Sequence, residues 1–160
     1  MHQTGAMTSE VEERVVRVVR DIAATPGRIF ELIADPRLQP VWDGNDNLAR
    51  AESGQRVRAL GEVFVMALTR GGIRENRVVE FEEGRLIAWN PSEPGSTAPG
   101  HLWRWELEPL DDANTQVTHT YDWSQLTDER RFERARANTE EALASSLRRL
   151  AVAAEAPNRS

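Results

Sequence analysis

The feature that constrains the fold most is a long series of short β-type segments interrupted by turn residues. Six segments with this pattern are predicted as strands: Leu48–Glu52, Val57–Leu68, Arg74–Glu82, Leu86–Asn90, Leu102–Leu110 and Gln116–Trp123. The turns between them carry Ser53-Gly54, Gly71-Gly72, Glu83-Gly84 or the polar run Asp111–Asn114. Because consecutive strands with short turns pair antiparallel, we predict an antiparallel meander.

One strand and two short helices are predicted before this meander. Arg14–Ile22 is rich in valine and is predicted as the first strand. Thr25-Pro26 then begins a helix, because threonine caps free amides and proline tolerates the first helical position. Asp35-Pro36 ends this helix, since the residue before proline disfavours helical geometry. A second short helix is predicted from Pro36 to Trp42.

A helical period returns after the last strand. Apolar and small residues recur at steps of three and four from Asp128 to about Glu155, which predicts one helix roughly 40 Å long. A helix of that length must lie across a whole sheet to bury its apolar stripe. We therefore predict an α+β fold, with seven antiparallel strands wrapped around a long C-terminal helix.

The 160 residues are enough for one domain with a sizeable core. We predict a single domain over residues 11–156, a disordered tail over 1–10 and a second tail over 157–160. The chain lacks an apolar run of membrane-spanning length and an N-terminal secretory signal. We expect a cytoplasmic protein, monomeric or homodimeric, without integral membrane association.

Missing residue types exclude several chemistries. There is no cysteine, and all 20 basic residues are arginine, so thiolate nucleophiles and lysine Schiff bases are excluded. The three histidines, His2, His101 and His119, have no metal-ligand spacing, and we expect no metal or other cofactor. The net charge of −6 argues against a nucleic-acid partner.

The last two predicted strands share an aromatic face. A three-residue loop at 112–114 predicts three cross-strand pairs on it: Trp105 with Tyr121, Trp103 with Trp123, and Leu107 with His119. The opposite face is polar and is predicted to be exposed to solvent. The facing helical stripe consists largely of small residues. The aromatic side chains either fill this space as core or border a cavity that a ligand occupies.

Several segments match the motifs of a known superfamily in the same order: residues 23–30, Ile33–Pro36, Val41-Trp42, Arg77–Phe81, Leu86–Trp89 and Trp103–Pro109. Over about residues 12–155 the chain resembles the START-like (SRPBCC) superfamily, and most of all its polyketide cyclase/dehydrase-like branch. The resemblance implies a helix-grip fold, an incomplete barrel that holds the long helix around a hydrophobic cavity. Members bind lipids, sterols, polyketides or plant hormones, and some catalyse cyclisation or dehydration.

The first functional hypothesis is binding of a small apolar molecule, aromatic, polyketide-like or lipid, between the sheet and the C-terminal helix, as a carrier or sensor. The candidate ligand-binding residues are Trp42, Trp89, Asn90, Trp103, Trp105, Trp123, Leu143 and Leu147. Trp89 and Asn90 cannot both face inward on a regular strand, because successive side chains alternate between faces.

The alternative hypothesis is an aromatase/cyclase or dehydratase acting on a polyketide-like substrate. His119 would be the catalytic acid or base, since an ordinary histidine pKa lies near neutrality. Tyr121, on the same face, would donate to an oxyanion, and Arg74 or Arg77 would hold a carboxylate or phosphopantetheine near the rim. A structural histidine bonded to a backbone carbonyl remains the competing interpretation of His119.

A third hypothesis is a protein-partner module. The candidate surfaces are the polar face of the sheet and the arginine-rich start of the last helix, which carries Arg130, Arg131, Arg134 and Arg136. Alternation with Glu129 and Glu133 favours a plain solvated face there. The ten-residue connector Pro91–Gly100 is predicted to form a mobile rim, because it contains three prolines and two glycines.

Overall fold

A single antiparallel sheet of seven strands forms the framework of the computed structural model, which describes residues 12–44 and 47–157. Its strands are β1 (Val15–Ile22), β2 (Leu48–Arg50), β3 (Val63–Leu68), β4 (Ile73–Glu82), β5 (Leu86–Ser92), β6 (Leu102–Pro109) and β7 (Thr115–Asp122). Their order in the sheet is β1-β7-β6-β5-β4-β3-β2, so all neighbours but the first pair are consecutive in sequence. The predicted meander is confirmed.

Two groups of helices accompany the sheet. After β1 come α1 (Pro26–Ala34), a 3-10 turn (Pro36–Leu38) and α2 (Gln39–Trp42); after β7 come a 3-10 turn (Glu129–Arg131), α3 (Phe132–Arg136) and α4 (Glu140–Glu155). Thr25 caps α1 as predicted, with its hydroxyl oxygen accepting from the Arg28 amide at 3.3 Å. The α+β helix-grip fold predicted from the sequence is confirmed.

The prediction of one continuous helix from Asp128 to Glu155 is wrong. The chain leaves helical geometry at residues 137–139, and α4 has 16 residues, which corresponds to about 24 Å. Thr139 causes the break, because its backbone is extended and its hydroxyl oxygen accepts from the Ala142 amide at 3.2 Å. It therefore begins a new helix as an N-cap instead of continuing the old one.

The predicted strand Val57–Leu68 is also too long. β3 begins only at Val63, since Gly61 adopts a φ of 90° that a regular strand does not accommodate. The predictions for residues 1–10 concern a segment outside the described residues, as does the predicted C-terminal tail beyond Pro157.

The predicted pairing of β6 with β7 is wrong by two residues. The observed pairs are Trp105 with His119, Trp103 with Tyr121, and Leu107 with Val117. The Leu110 amide donates to the Asn114 carbonyl at 2.9 Å, so the hairpin loop occupies 111–113 rather than 112–114. A two-residue shift keeps every side chain on its predicted face. The polar face is less exposed than predicted at Thr120, which is fully buried.

Helix α4 is fixed to the N-terminal helices at both of its ends. Near its N-terminal half, the Ser146 hydroxyl accepts from the Gly44 amide at 3.1 Å, and a side chain on Gly44 would collide with Ser145. At its C-terminal end, the Arg28 guanidinium donates to the carbonyls of Ala154 and Ala156. The two Arg28 bonds satisfy carbonyls that a helix end leaves unpaired.

No helix within residues 12–44 and 47–157 is both long enough and apolar enough to cross a membrane.

Candidate functional site

A cavity of about 420 Å³ lies between the sheet and the helices. Its apolar wall consists of large side chains from α2, the sheet and the segment after β7: Trp42, Met66, Trp89, Trp103, Trp105 and Leu126. Polar and charged side chains interrupt this wall: Gln39, Asp43, Asn47, Arg70, Arg74, Asn76, His101, His119, Tyr121, Arg131, Arg134, Asn138 and Ser146. The size and the mixture of aromatic wall with a few polar groups are typical of small-molecule sites.

The structure brings together six of the candidate residues around this cavity. They are Trp42, Trp89, Trp103, Trp105, His119 and Tyr121. They converge because inward positions alternate along β5, β6 and β7, and because α2 lies against the N-terminal half of α4.

The other four candidates lie outside the cavity lining. The Asn90 side chain donates to the His101 carbonyl at 2.8 Å, and Trp123 packs edge-on against Phe132 with ring centroids 5.5 Å apart. Leu143 and Leu147 are buried among core side chains. Each of these four residues therefore has a structural role in the fold.

Trp105 and His119 form a buried, stacked pair in the cavity lining, which we call the floor. The two rings stack with centroids 3.6 Å apart and planes inclined by 13°, and Trp42 meets Trp105 edge-on at 5.0 Å. Both floor residues are buried, with exposures of 0% and 3%. This packing fixes the orientation of the imidazole and the indole before any ligand arrives.

The His119 imidazole is a neutral hydrogen-bond acceptor. Its Nδ1 lies 3.2 Å from the Arg104 carbonyl oxygen, and because a carbonyl only accepts, Nδ1 carries the proton. Burial lowers the pKa of His119 to about 3, against a small opposing effect of this bond. The ring is therefore uncharged at neutral pH, and Nε2 keeps its lone pair.

The Trp105 indole N–H is a buried donor. Its Nε1 has no hydrogen-bond partner within the described parts of the chain, whereas Nε1 of Trp42 donates to the Leu32 carbonyl at 2.8 Å. An unpaired buried donor costs about 1–3 kcal/mol. The floor thus combines an indole whose buried donor is unpaired with a neutral imidazole acceptor.

Tyr121 lies among other aromatic rings of the cavity lining. Its ring lies 4.3 Å from that of Trp103 and 6.0 Å from that of His101. Burial raises the pKa of Tyr121 to about 12, although the bond to Asn138 and the charge of Arg134 act in the opposite direction. The phenol therefore remains a protonated donor at neutral pH.

Four arginines border the cavity, and we call the part of the lining that they form the mouth. Arg70 and Arg74 come from the β3–β4 hairpin, and Arg131 and Arg134 from the segment before α4. A shallower cleft shares Arg74, Arg131 and Arg134 with the mouth. Burial, together with the charges of these three arginines, lowers the pKa of the neighbouring His101 to about 4.

Sequence reasoning missed part of this lining. The sequence favours a solvated helix face for Arg131 and Arg134, but both border the cavity, in a segment that the break at 137–139 separates from α4. His101 and Asn138 were not singled out. A capping signal was present at Thr139, which is followed by Glu140 and Glu141. Among the described residues, no group of three or more histidines or carboxylates could hold a metal ion.

Comparisons with known proteins agree with this architecture. The family model for polyketide cyclase/dehydrase and lipid transport matches residues 13–155. An uncharacterized protein of Mycobacterium tuberculosis H37Rv is 30% identical over 113 residues, covering 69% of this chain and 47% of that protein. The chain therefore spans about half the length of the curated relatives it matches.

Solved structures share the fold at low sequence identity. The Zhui aromatase/cyclase from Streptomyces sp. R1128 matches with a TM-score of 0.63 and 21% identity, covering 89% of this chain and 93% of that one. The Aha1 dimer from Colwellia psychrerythraea matches with a TM-score of 0.62 and 21% identity, covering 88% and 96%. At such identities the likeness is one of fold.

Proposed function

The chain belongs to the polyketide cyclase/dehydrase and lipid transport family, and from this premise we propose that it binds a small, largely aromatic molecule in its cavity as a carrier or sensor. The match confirms the resemblance that the sequence motifs indicated. A fold alone does not define a function, so the proposal depends on the chemistry of the cavity.

The observation that carries the proposal is the pair of polar atoms on an otherwise aromatic floor. The Trp105 N–H is a buried donor without a partner, and His119 Nε2 is a neutral acceptor stacked against it. A ligand hydroxyl would satisfy both, by accepting from the indole and donating to the imidazole. A ligand carbonyl would satisfy only the indole. We therefore favour a flat, hydroxylated aromatic ligand.

The experiment that tests this function is native mass spectrometry of gently purified protein, followed by solvent extraction of any bound molecule. We expect a stoichiometric adduct that is aromatic and carries a hydroxyl group. To include weak ligands, 2-naphthol is then titrated into the protein by calorimetry. A clean unliganded mass together with no heat of 2-naphthol binding at millimolar concentration would contradict the proposal.

A cyclase or dehydratase is the second candidate, because His119 and Tyr121 border the same cavity as a neutral acceptor and a neutral donor. In that role His119 Nε2 would take a proton beside a substrate carbonyl while the Tyr121 hydroxyl donates to the developing oxyanion. A pKa of about 3 makes His119 a weak base, and we therefore favour the carrier or sensor function over the enzyme.

The two candidates are separated by His119→Gln, which keeps a polar acceptor and removes a titrating base. For a carrier, binding of 2-naphthol changes by no more than about threefold, since one hydrogen bond is exchanged for another. For an enzyme acting on a β-polyketone substrate, turnover falls by about 100-fold or more. Unchanged turnover in this variant would remove His119 from the mechanism.

A further inference from the structure

Three of the four mouth arginines, Arg70, Arg74 and Arg134, form no ion pair with the residues that the structure describes, and Arg74 and Arg134 also border the shallower cleft. Neither Arg74 nor Arg134 has a carboxylate within 4.0 Å among the residues that the structure describes, and the Arg74 guanidinium donates to the carbonyl of its neighbour Ile73. Arg131, by contrast, contacts Asp128 at 3.4 Å and Glu93 at 3.9 Å. The positive charge at the mouth is therefore only partly neutralised.

These two arginines approach the cavity from different sides. Arg74 lies on β4, at the start of a sheet strand, and Arg134 lies on α3. Both border the main cavity and also the shallower cleft beside it. A group bound at the mouth is therefore bordered by a residue of the sheet and a residue of α3.

The electrostatics of the mouth agree with this geometry. Burial lowers the pKa of Arg74, and the charges of Arg134 and Arg131 lower it further, while Glu93 acts in the opposite direction. The protein carries a net charge of −6, so a cluster of mutually repelling arginines on it is a local exception. An anion between Arg74 and Arg134 would relieve that repulsion.

We propose that the mouth binds the carboxylate of the ligand, held between Arg74 and Arg134, while the aromatic part of the ligand occupies the floor. This inference rests on the proposed binding function and adds an acidic group to the ligand class. Arginine suits the task because its planar fork matches a carboxylate with two parallel hydrogen bonds. Arg77, the other rim candidate, is exposed on the opposite face of β4 and does not border the cavity.

The test compares two ligands of nearly equal shape, 2-naphthoate and its neutral counterpart 2-naphthamide, by calorimetry on the full chain. We expect 2-naphthoate to bind at least about tenfold more tightly than 2-naphthamide. Arg74→Gln and Arg134→Gln should each remove most of that preference and leave 2-naphthamide binding within about twofold. Arg77→Gln is the matched control on the same strand and should change neither affinity. Raising the salt concentration should weaken only 2-naphthoate.

The possible outcomes test the carboxylate site and the cavity function separately. If 2-naphthamide binds as tightly as 2-naphthoate, or if Arg74→Gln and Arg134→Gln behave like Arg77→Gln, the carboxylate site is wrong and the cavity function stands. If neither compound binds at millimolar concentration, the aromatic cavity function itself fails, and the carboxylate site fails with it.

Discussion

Trp105 and His119 lie face to face across β6 and β7, with ring centroids 3.6 Å apart. This stack places an indole with a buried, unpaired N–H against a neutral imidazole, and both residues border the cavity. It exists because the two residues are directly opposite each other in the strand register, where side chains on one face come closest.

Replacing Trp105 by Phe should reduce the preference of the cavity for a hydroxyl group. The change removes the unpaired donor and keeps an aromatic ring, so we expect 2-naphthol to lose about tenfold in affinity while 2-methylnaphthalene changes much less. Fluorescence titration of both compounds gives the ratio. Trp42→Phe is the control, since Nε1 of Trp42 already donates to the Leu32 carbonyl. An equal loss of preference in both variants would contradict the assignment.

The stability of the protein should fall when the pH is lowered from about 7 to about 5.5, a window in which histidines are the main titrating side chains. The folded-state pKa values of His119 and His101 are lowered to about 3 and about 4, from 6.5. In this pH range the unfolded chain therefore binds more protons than the folded chain, so acid favours unfolding. The full stabilisation is present above pH 6.5 and is lost progressively towards pH 3.

Urea denaturation at the two pH values measures this loss. His119→Gln should reduce the difference between the two midpoints, because one of the two histidines no longer titrates. His101→Gln should reduce it independently. A midpoint difference that is the same in both variants as in the parent chain would show that neither histidine is buried in its neutral form.

Enlarging Ala135 should fill space that is open, whereas enlarging Ala151 should overfill space that is already packed. Both alanines are 2% exposed, but only Ala135 borders the cavity. We expect Ala151→Leu to cost about 1–3 kcal/mol and Ala135→Leu to cost less than about 1 kcal/mol. Ala135→Leu should also weaken 2-naphthol binding strongly. Equal destabilisation by the two changes would mean that the space beside Ala135 is closed.

Adding a methyl group to Gly44 should destabilise the contact between α2 and α4. The new carbon would lie 2.5 Å from the Ser145 hydroxyl oxygen and 2.8 Å from the Ser146 amide nitrogen, so backbone must move. We expect Gly44→Ala to cost about 1–3 kcal/mol in thermal or urea unfolding. Gly27→Ala is the control, because nothing lies within 4 Å of its added carbon and alanine favours helix. It should be neutral or stabilising, and a similar loss in both would contradict the close approach.

Patterns of neighbouring residues in the sequence were sufficient to predict most of the fold. Alternation along β5, β6 and β7 placed the aromatic residues on one face, and a pairing error of two residues left that assignment intact. Thr25 and Pro26 marked the start of α1 because capping depends on neighbouring residues only. The same alternation predicts that the side chains of Trp89 and Asn90 lie on opposite faces of the sheet, and Trp89 is the one that borders the cavity.

The candidate site depended on contacts between distant segments. The stripe of α4 did not tell whether Trp105 and Trp123 border a cavity or fill a core, since both arrangements bury aromatic rings equally well. The break at Thr139 affects the lining of the mouth, because it separates the segment with Arg131 and Arg134 from α4, and both residues border the cavity.

The sequence by itself determined the class of fold, the order of its elements and the face on which each aromatic side chain lies, because alternation, capping and turn chemistry act over a few residues. Only the tertiary structure decided which rings enclose open space, which indole N–H lacks a partner, and which arginines meet at the mouth. Those properties depend on how segments separated by tens of residues pack together, and no local pattern encodes the distance between them.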